Sequence, residues 1–266
     1  MLHYHGLSDV GCVRADNEDR ILMDADLGVF VVADGMGGHR HGELAAELAI
    51  STLRYYLDSS RNLRELTWPF GYNFNLSLEA NRLVTGILLA NRQIWKRSGG
   101  APEYSGMGST IAAVLVNGDR AAVANVGDSR AYLFREGALS QLTVDDTWLN
   151  AVLRRDEISD KALQDHPMRD VLTQAAGSQN DLDVHTLDME FRHNDMLLLC
   201  SDGLDGVVPQ AGILSVLQSN ETLPQKVTRL CEAARAGGAP DNLSCILLRY
   251  EPDGPANKRT PSSGAE

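Results

Sequence analysis

Short apolar segments with the composition of β-strands dominate the body of the chain. They run over residues 27–33, 109–116, 120–126, 131–135, 138–142, 184–191, 196–200 and 243–250. Asn117-Gly118 favours a tight hairpin because both residues tolerate positive φ, and Glu136-Gly137 marks another hairpin candidate. The polar run 192–195 predicts a further hairpin, in which the segments on either side of it pair with each other.

Helical periodicity separates these strand groups. Apolar residues recur at helical spacing over 43–57 and 77–97, and two shorter helices fit 210–219 and 224–236. Hairpin strands combined with paired helices predict an α+β fold in which helices sandwich antiparallel sheets, rather than an alternating parallel fold.

Two regions break this pattern. Residues 143–180 are acidic and irregular, which predicts an inserted, mobile surface region. Residues 252–266 contain no aromatic and no large aliphatic side chain, so we expect a disordered tail behind a single domain over 1–251. The segment 59–78 is long and aromatic for a helix–helix connection, and it suits either core packing or a partner surface.

Charge and cysteine usage narrow the function classes. The 266 residues carry a net charge of −12, which argues against a nucleic-acid or anionic-membrane binder. The N-terminus lacks the features of a signal peptide, and no run approaches the roughly 18 apolar residues of a membrane span, so we expect a cytoplasmic protein. No cysteine forms a Cys-x-x-Cys pair, so free thiols are expected at Cys12, Cys200, Cys231 and Cys245.

Aspartates recur where apolar strands end. Asp34-Gly35, Gly127-Asp128 and Asp202-Gly203 each follow such a strand, and Asp241 precedes the last one. Carboxylates that converge in this way stay ionised together only if cations neutralise them, and oxygen-only ligands favour Mg²⁺ or Mn²⁺. A single Asp-Gly is most often only a turn, but the repetition indicates a metal site.

An acidic cluster behind one arginine lies near the start of the chain. The motif is Arg14-x-x-Asn17-Glu18-Asp19. The guanidinium of Arg14 has paired donors that match phosphate oxygens, and the acidic residues after it are candidate metal ligands. With these motifs in order, the sequence resembles the bacterial metal-dependent protein phosphatases of the PP2C type, also called the PPM family. The other motifs that carry the resemblance are Asp34-Gly35-Met36-Gly37-Gly38, Gly108-Ser109-Thr110, Gly127-Asp128-Ser129-Arg130, Ser201-Asp202-Gly203 and Asp241-Asn242.

The resemblance implies a four-layer α-β-β-α fold with two Mn²⁺ or Mg²⁺ ions at one end and a third, weaker ion in bacterial members. Asp34 would bridge the two ions. Glu18 and the carbonyl of Gly35 would complete one ion, Asp202 and Asp241 would hold the other, and Asp128 would join Asp202 at the third. Arg14 would bind the substrate phosphate, and Asp19 would fix the loop from behind the ligands. Residues 143–180 match the family's flap.

Some positions depart from the family pattern. Met36 replaces a histidine that family members often carry as a candidate general acid, so no group is assigned to protonate the leaving group. After Ser201-Asp202-Gly203-Leu204, family members often have one residue and then an aspartate. Here the order is Asp205-Gly206, which puts one supporting contact in doubt. Asp146-Thr147 stands where His-Ser is common, and substrate preference could differ accordingly.

The implied reaction is hydrolysis of phosphoserine or phosphothreonine by an activated water, without a covalent intermediate. A cysteine phosphatase requires an arginine six positions after the cysteine; here those positions hold Glu18, Gly206, Gly237 and Glu251. No Lys follows a Gly, so there is no P-loop. Two alternatives stay open: a catalytically silent relative that binds phosphoproteins, and a phosphatase of small phosphoesters. The expected partners are phosphorylated proteins, including a serine/threonine kinase and its targets.

Overall fold

Two antiparallel sheets face each other in the computed structural model, which describes residues 1–37, 41–61, 67–153 and 166–252. The first sheet contains β1 (Leu2–Asp9), β7 (Arg130–Arg135), β8 (Ala138–Gln141), β10 (Met196–Cys200) and β11 (Leu243–Tyr250). The second contains β2 (Asp19–Asp24), β3 (Val29–Met36), β4 (Gly108–Ser109), β5 (Ile111–Asn117), β6 (Arg120–Val126) and β9 (His185–Glu190). Their orders are β1-β11-β10-β7-β8 and β2-β3-β5-β6-β9, with β4 paired to β3.

Helices cover the outer face of each sheet. The helices α1 (His41–Ser59) and α2 (Leu78–Ser98) pack on the second sheet, and α5 (Gln210–Gln218) and α6 (Leu223–Ala236) pack on the first. Two short helices, α3 (Trp148–Leu153) and α4 (Asp202–Asp205), follow β8 and β10. The predicted α+β class with a central antiparallel sandwich flanked by helix pairs is confirmed.

Strand β3 shows how alternation builds the two halves of the core. Its residues Val29 and Val31 face α1 and α2, whereas Phe30 and Val32 join the cluster between the sheets with residues such as Leu197 and Ile246. All of these side chains are fully buried, because one face of β3 meets helices and the other meets the opposite sheet.

The predicted pairing of 184–191 with 196–200 is wrong. Strand β9 pairs with β6, and β10 lies between β7 and β11, so the 192–195 connection crosses from one sheet to the other. Every residue of β10 is buried, whereas β9 is largely half-buried or exposed. A strand that is apolar on both faces requires two strand neighbours inside the sheet, and a half-exposed strand suits an edge.

Strands β1 and β2 were not predicted from the sequence. Both are edge strands whose residues are mostly half-buried, so their apolar pattern is weak. Strand β1 pairs with β11 over its whole length, and β2 pairs with β3 so that Asp19 lies opposite Asp34.

The described parts of 143–180 contain helix α3 and contacts with the body of the protein. Isolated bridges join Thr147 to Leu172 and Ser109 to Ala176. Residues 154–165 lie outside the described residues, as does the predicted tail from 253 onward. The single-domain boundaries and the mobility of the insertion therefore stay predictions.

The connection between α1 and α2, described apart from 62–66, combines packing and exposure. Leu76 packs on the core beneath α1 and α2, whereas Phe74 is 91% exposed. The cysteines are free, as expected, with Cys12 exposed and the other three buried.

Candidate active site

A cavity of about 260 Å³ collects nearly all of the residues that the motifs single out. It lies where β3 and β10 end and where β6 turns into β7. Its lining includes Arg14, Glu18, Asp34, Gly35, Asp128, Asp202 and Asp241, together with Met36, Thr110, Asp170, Leu172 and Asn242. A larger groove of about 570 Å³ beside α2 has a far less charged lining. The carboxylates that are dispersed in sequence therefore meet in one place.

Asp34 is held by its neighbours on both sides. Its backbone N–H donates to the Thr110 hydroxyl at 3.1 Å, and its carbonyl accepts from the Thr110 N–H at 2.8 Å. The Thr110 hydroxyl also lies 2.6 Å from that of Ser129, and both residues are buried. Thr110 and Ser129 thus fix the backbone that carries the central carboxylate, a role that the sequence motifs did not assign.

The start of α1 approaches Glu18 and Gly35 closely. A Cβ on Gly35 would lie 2.0 Å from the carbonyl oxygen of Gly42, and a Cβ on Gly42 would lie 2.6 Å from Glu18 Oε2. The Gly35 N–H donates to the carbonyl of Glu18 at 3.2 Å. Only glycine fits at both positions, so the close approach brings the Glu18 carboxylate and the Gly35 backbone together. Gly42 was not predicted from the sequence, because nothing in its local sequence distinguishes it from other glycines.

Asn242 ties the Arg14-bearing loop to the last strand. Its amide donates to the carbonyls of Val10 at 2.9 Å and Asp16 at 3.0 Å, and its oxygen accepts from the Glu18 N–H at 2.9 Å. A Cβ on Gly203 would lie 1.8 Å from the Asn242 carbonyl oxygen, so α4 begins directly against this residue. The motif contained Asn242, but only the tertiary contacts show that it organises Glu18.

Asp19 lies behind the cavity wall. It is 1% exposed, and its Oδ2 accepts from the Ser201 hydroxyl at 2.8 Å. Burial raises the pKa of Asp19 to about 6, although the hydrogen bond from Ser201 opposes the shift. Its Oδ1 is buried without a hydrogen-bond partner, which leaves one acceptor on this carboxylate unused.

Burial and neighbouring negative charges raise the proton affinity of the cavity carboxylates. Burial raises the pKa of Asp34 well above its usual value, and the charges of Asp19, Asp202, Asp128 and Asp241 add to the shift. Burial and then Asp241 raise the pKa of Asp202. Bound cations would relieve this repulsion, and the all-oxygen donor set fits Mg²⁺ or Mn²⁺. Within the described ranges no three acidic, His or Cys side chains form a preformed metal cluster, since the carboxylates are distributed around the cavity.

Arg14 lies at the rim of the cavity. Its side chain is 54% exposed, and Nη2 donates to Asp241 Oδ2 at 2.6 Å. This hydrogen bond, with the charge of Asp241, raises the pKa of the guanidinium. The remaining donors of the fork suit an oxyanion such as phosphate.

Asp128 lies among other carboxylates at the cavity. Burial raises its pKa to about 7, and the charges of Asp202, Asp145 and Asp205 add to the shift. Nearby, Arg130 Nη2 lies 2.6 Å from Asp145, and Nη1 contacts Asp205. The reversed Asp205-Gly206 order therefore still places Asp205 in a buried contact, which Tyr132 completes by donating at 2.9 Å.

A comparison with models of protein families shows which family this chain belongs to. The family model described as "Protein phosphatase 2C" matches residues 13–248. The chain belongs to the protein phosphatase 2C family. The resemblance stated from the motifs is thereby confirmed, and the chain is an enzyme of the serine/threonine phosphatase class.

Curated relatives come from several bacteria. The serine/threonine phosphatase Stp of Listeria monocytogenes is 33% identical over 257 residues, which cover 94% of this chain and 96% of that protein. The serine/threonine protein phosphatase PstP of Mycobacterium tuberculosis is 36% identical over 247 residues, covering 93% of this chain and 45% of PstP.

Solved structures of this phosphatase family superpose closely. The crystal structure of Mycobacterium tuberculosis PstP has a TM-score of 0.80 at 34% identity and covers 94% of this chain and 99% of that one. A catalytic domain of PstP in complex with two manganese ions has a TM-score of 0.77 at 32% identity, covering 93% and 97% of the two chains. Among the described residues of this phosphatase, no helix is long and apolar enough to cross a membrane.

Proposed function

We propose that this phosphatase removes phosphate from phosphoserine and phosphothreonine in proteins by means of two Mn²⁺ or Mg²⁺ ions held in the cavity. The observation that carries the proposal is the common lining formed by Glu18, Asp34, Asp202 and Asp241 with Arg14 at the rim. A two-manganese structure among its relatives supports the number of ions.

Each residue has a distinct proposed role. Asp34 lies centrally and would contact both ions, while Glu18 and the Gly35 carbonyl complete one site and Asp202 and Asp241 the other. Asp19 would fix the ligands from behind through its contact with Ser201. Arg14 would hold the phosphoryl oxygens, in exchange for part of its present pairing with Asp241.

Hydrolysis would proceed by direct attack of water. When bound, a pair of divalent ions supplies an activated water and neutralises charge on the phosphoryl group. The described lining contains no Cys or His, and its one hydroxyl, that of Thr110, is engaged with Ser129 and the Asp34 N–H. This leaves the aspartates as the side chains that could attack phosphorus, and because those carboxylates would be engaged by the ions, water is the expected nucleophile.

Asp128 would hold a third, weaker ion together with Asp202. Both line the cavity, and the charge of Asp202 raises the proton affinity of Asp128, which indicates close proximity. Because fewer carboxylates would contact the third ion, it should bind more weakly than the first two ions.

A comparison of substrates tests the proposal. Activity would be measured with Mn²⁺ on phosphoserine and phosphothreonine peptides, on nucleotides and on a small aryl phosphate, for wild type and Asp34→Asn. We expect metal-dependent release from the peptides that disappears in the variant. Release from nucleotides but not peptides would indicate a small-molecule phosphatase, and peptide binding without any hydrolysis would indicate a silent relative.

A further inference from the structure

Asp146 forms five hydrogen bonds that join three separate segments. Its Oδ2 accepts from the Gly127 N–H at 2.9 Å and from Gln174 Nε2 at 2.8 Å, and its Oδ1 lies 2.7 Å from His185 Nε2. Its backbone N–H donates to the Gly127 carbonyl at 3.0 Å, and its carbonyl accepts from Thr173 at 2.8 Å. The side chain is only 7% exposed, so these contacts are shielded from water.

The joined segments border the cavity. Gly127 directly precedes Asp128, and Thr173 directly follows Leu172, which lines the cavity together with Asp170. The third segment begins β9, where His185 pairs with Asn125 of β6. Asp146 therefore links the Asp128 turn to the returning part of the 143–180 insertion and anchors both to the second sheet.

The neighbouring carboxylate has a different set of partners. Asp145 pairs with Arg130, which also contacts Asp205 in α4. Of the two consecutive aspartates, Asp145 thus attaches the insertion to Arg130, and the side chain of Asp146 joins the Gly127 turn to Gln174 in its returning part.

We propose that Asp146 is a positioning residue that holds the Asp128 turn and residues 170–174 in register at the cavity, and thereby sets how well phosphopeptides are used relative to small phosphoesters. Asp170 and Leu172 line the cavity, so the parts of a peptide that extend beyond its phosphate would contact this segment more extensively than a small ester does. A loosened insertion should therefore penalise the peptide more. This inference rests on the proposed function for its activity readout.

The test compares Asp146→Ala with the matched control Asp195→Ala. Asp195 is 2% exposed and also accepts hydrogen bonds at both oxygens, from Arg135 and the Arg192 N–H, but it lies in the β9–β10 connection. Two quantities would be measured: backbone amide hydrogen exchange of 127–129 and 172–176 in chelator-treated protein, and kcat/KM for a phosphopeptide and for an aryl phosphate.

We expect Asp146→Ala to accelerate exchange in both segments and to lower kcat/KM for the peptide about tenfold more than for the aryl phosphate. Asp195→Ala should change neither the exchange nor the ratio. His185→Ala, which removes one partner only, should give a smaller effect of the same kind and serves if Asp146→Ala does not fold. An unchanged ratio and unchanged local exchange in both site variants would overturn the inference.

Two outcomes separate this inference from the proposed function. If wild type does not hydrolyse phosphopeptides, the proposed function fails, while the exchange measurement still decides whether Asp146 holds the two segments. In an Asp128→Ala background, Asp146→Ala should lose most of its additional effect on kcat, because both changes act on the same turn. Fully additive losses would contradict positioning through Asp128.

Discussion

The aspartates of the cavity show most directly that the stability of the metal-free fold conflicts with the binding of metal ions. Burial raises the pKa of Asp34, Asp128 and Asp202, and the charge of Asp202 raises the pKa of the other two further, an arrangement that bound cations would compensate. Asp19 adds a buried oxygen without a partner. At this scale the site is an unfavourable feature of the metal-free fold and a favourable one once ions bind.

The raised pKa of Asp128 makes the stability of the metal-free protein depend on pH. Burial raises its pKa from 3.8 to about 7, so between these values the native state binds more protons than the unfolded state, and stability falls as pH rises. Each unit of difference corresponds to about 1.4 kcal/mol. In chelator, Asp128→Asn should become progressively more stable than wild type as pH rises towards 7, as measured by urea unfolding. Parallel stability curves for the two proteins would contradict the shift.

Arg14 should act mainly through substrate binding. Because a guanidinium that grips phosphate binds substrate and transition state alike, Arg14→Ala should raise KM for an aryl phosphate about tenfold or more and lower kcat less. Steady-state kinetics at saturating Mn²⁺ measure both. Since Arg14 also pairs with Asp241 at 2.6 Å, an unchanged KM with a collapsed kcat would show that it organises the ligands instead.

At the scale of elements, the site depends on how closely α1 approaches the strands. An alanine is ordinarily about 1 kcal/mol better than glycine inside a helix. At position 42, however, the added Cβ would lie 2.6 Å from both Glu18 Oε2 and the Gly35 carbonyl oxygen. The contact must therefore displace either the helix or the groups proposed to hold one ion.

Gly42→Ala should destabilise the protein by about 1–3 kcal/mol and weaken Mn²⁺ binding, as measured by urea unfolding and calorimetry. Gly99→Ala is the matched control, because its Cβ would lie 3.6 Å from the nearest atom outside its chain neighbours and φ there is −79°. The control should leave both quantities near wild type. A Gly42→Ala protein with unaltered Mn²⁺ affinity would show that the approach of α1 is irrelevant to the site.

Elements also show which features the sequence could predict. Long periodic segments such as α2 and buried strands such as β10 carry their own pattern, and the predictions for them are confirmed. Strands β1 and β2 are half-exposed, so their pairing partners determine them. Likewise Gly42 matters for the site only through contacts with residues distant in sequence, which no local pattern reveals.

At the scale of the whole molecule, the sandwich brings dispersed motifs to one end. The chain changes sheet after β1, β6, β8 and β9, and the change after β6 places Asp128 in the cavity. The order of the motifs along the chain, which resembles that of the family, predicted which aspartates would meet. It could not predict the change of sheet after β9, because a polar four-residue connection is equally compatible with a hairpin.

Asp34 is the residue proposed to organise a two-ion site. Calorimetric titration with Mn²⁺ of wild type, Asp34→Asn and Asp24→Asn tests it most directly. Asp24 is a matched control because it lies on β2, across the hairpin from β3, with its carboxylate 2.9 Å from Arg54 and remote from the cavity lining. Wild type and Asp24→Asn should each bind two ions tightly, whereas Asp34→Asn should stay folded and lose both tight sites. An Asp34→Asn protein with the wild-type number of sites and affinities would show that Asp34 does not organise the ions.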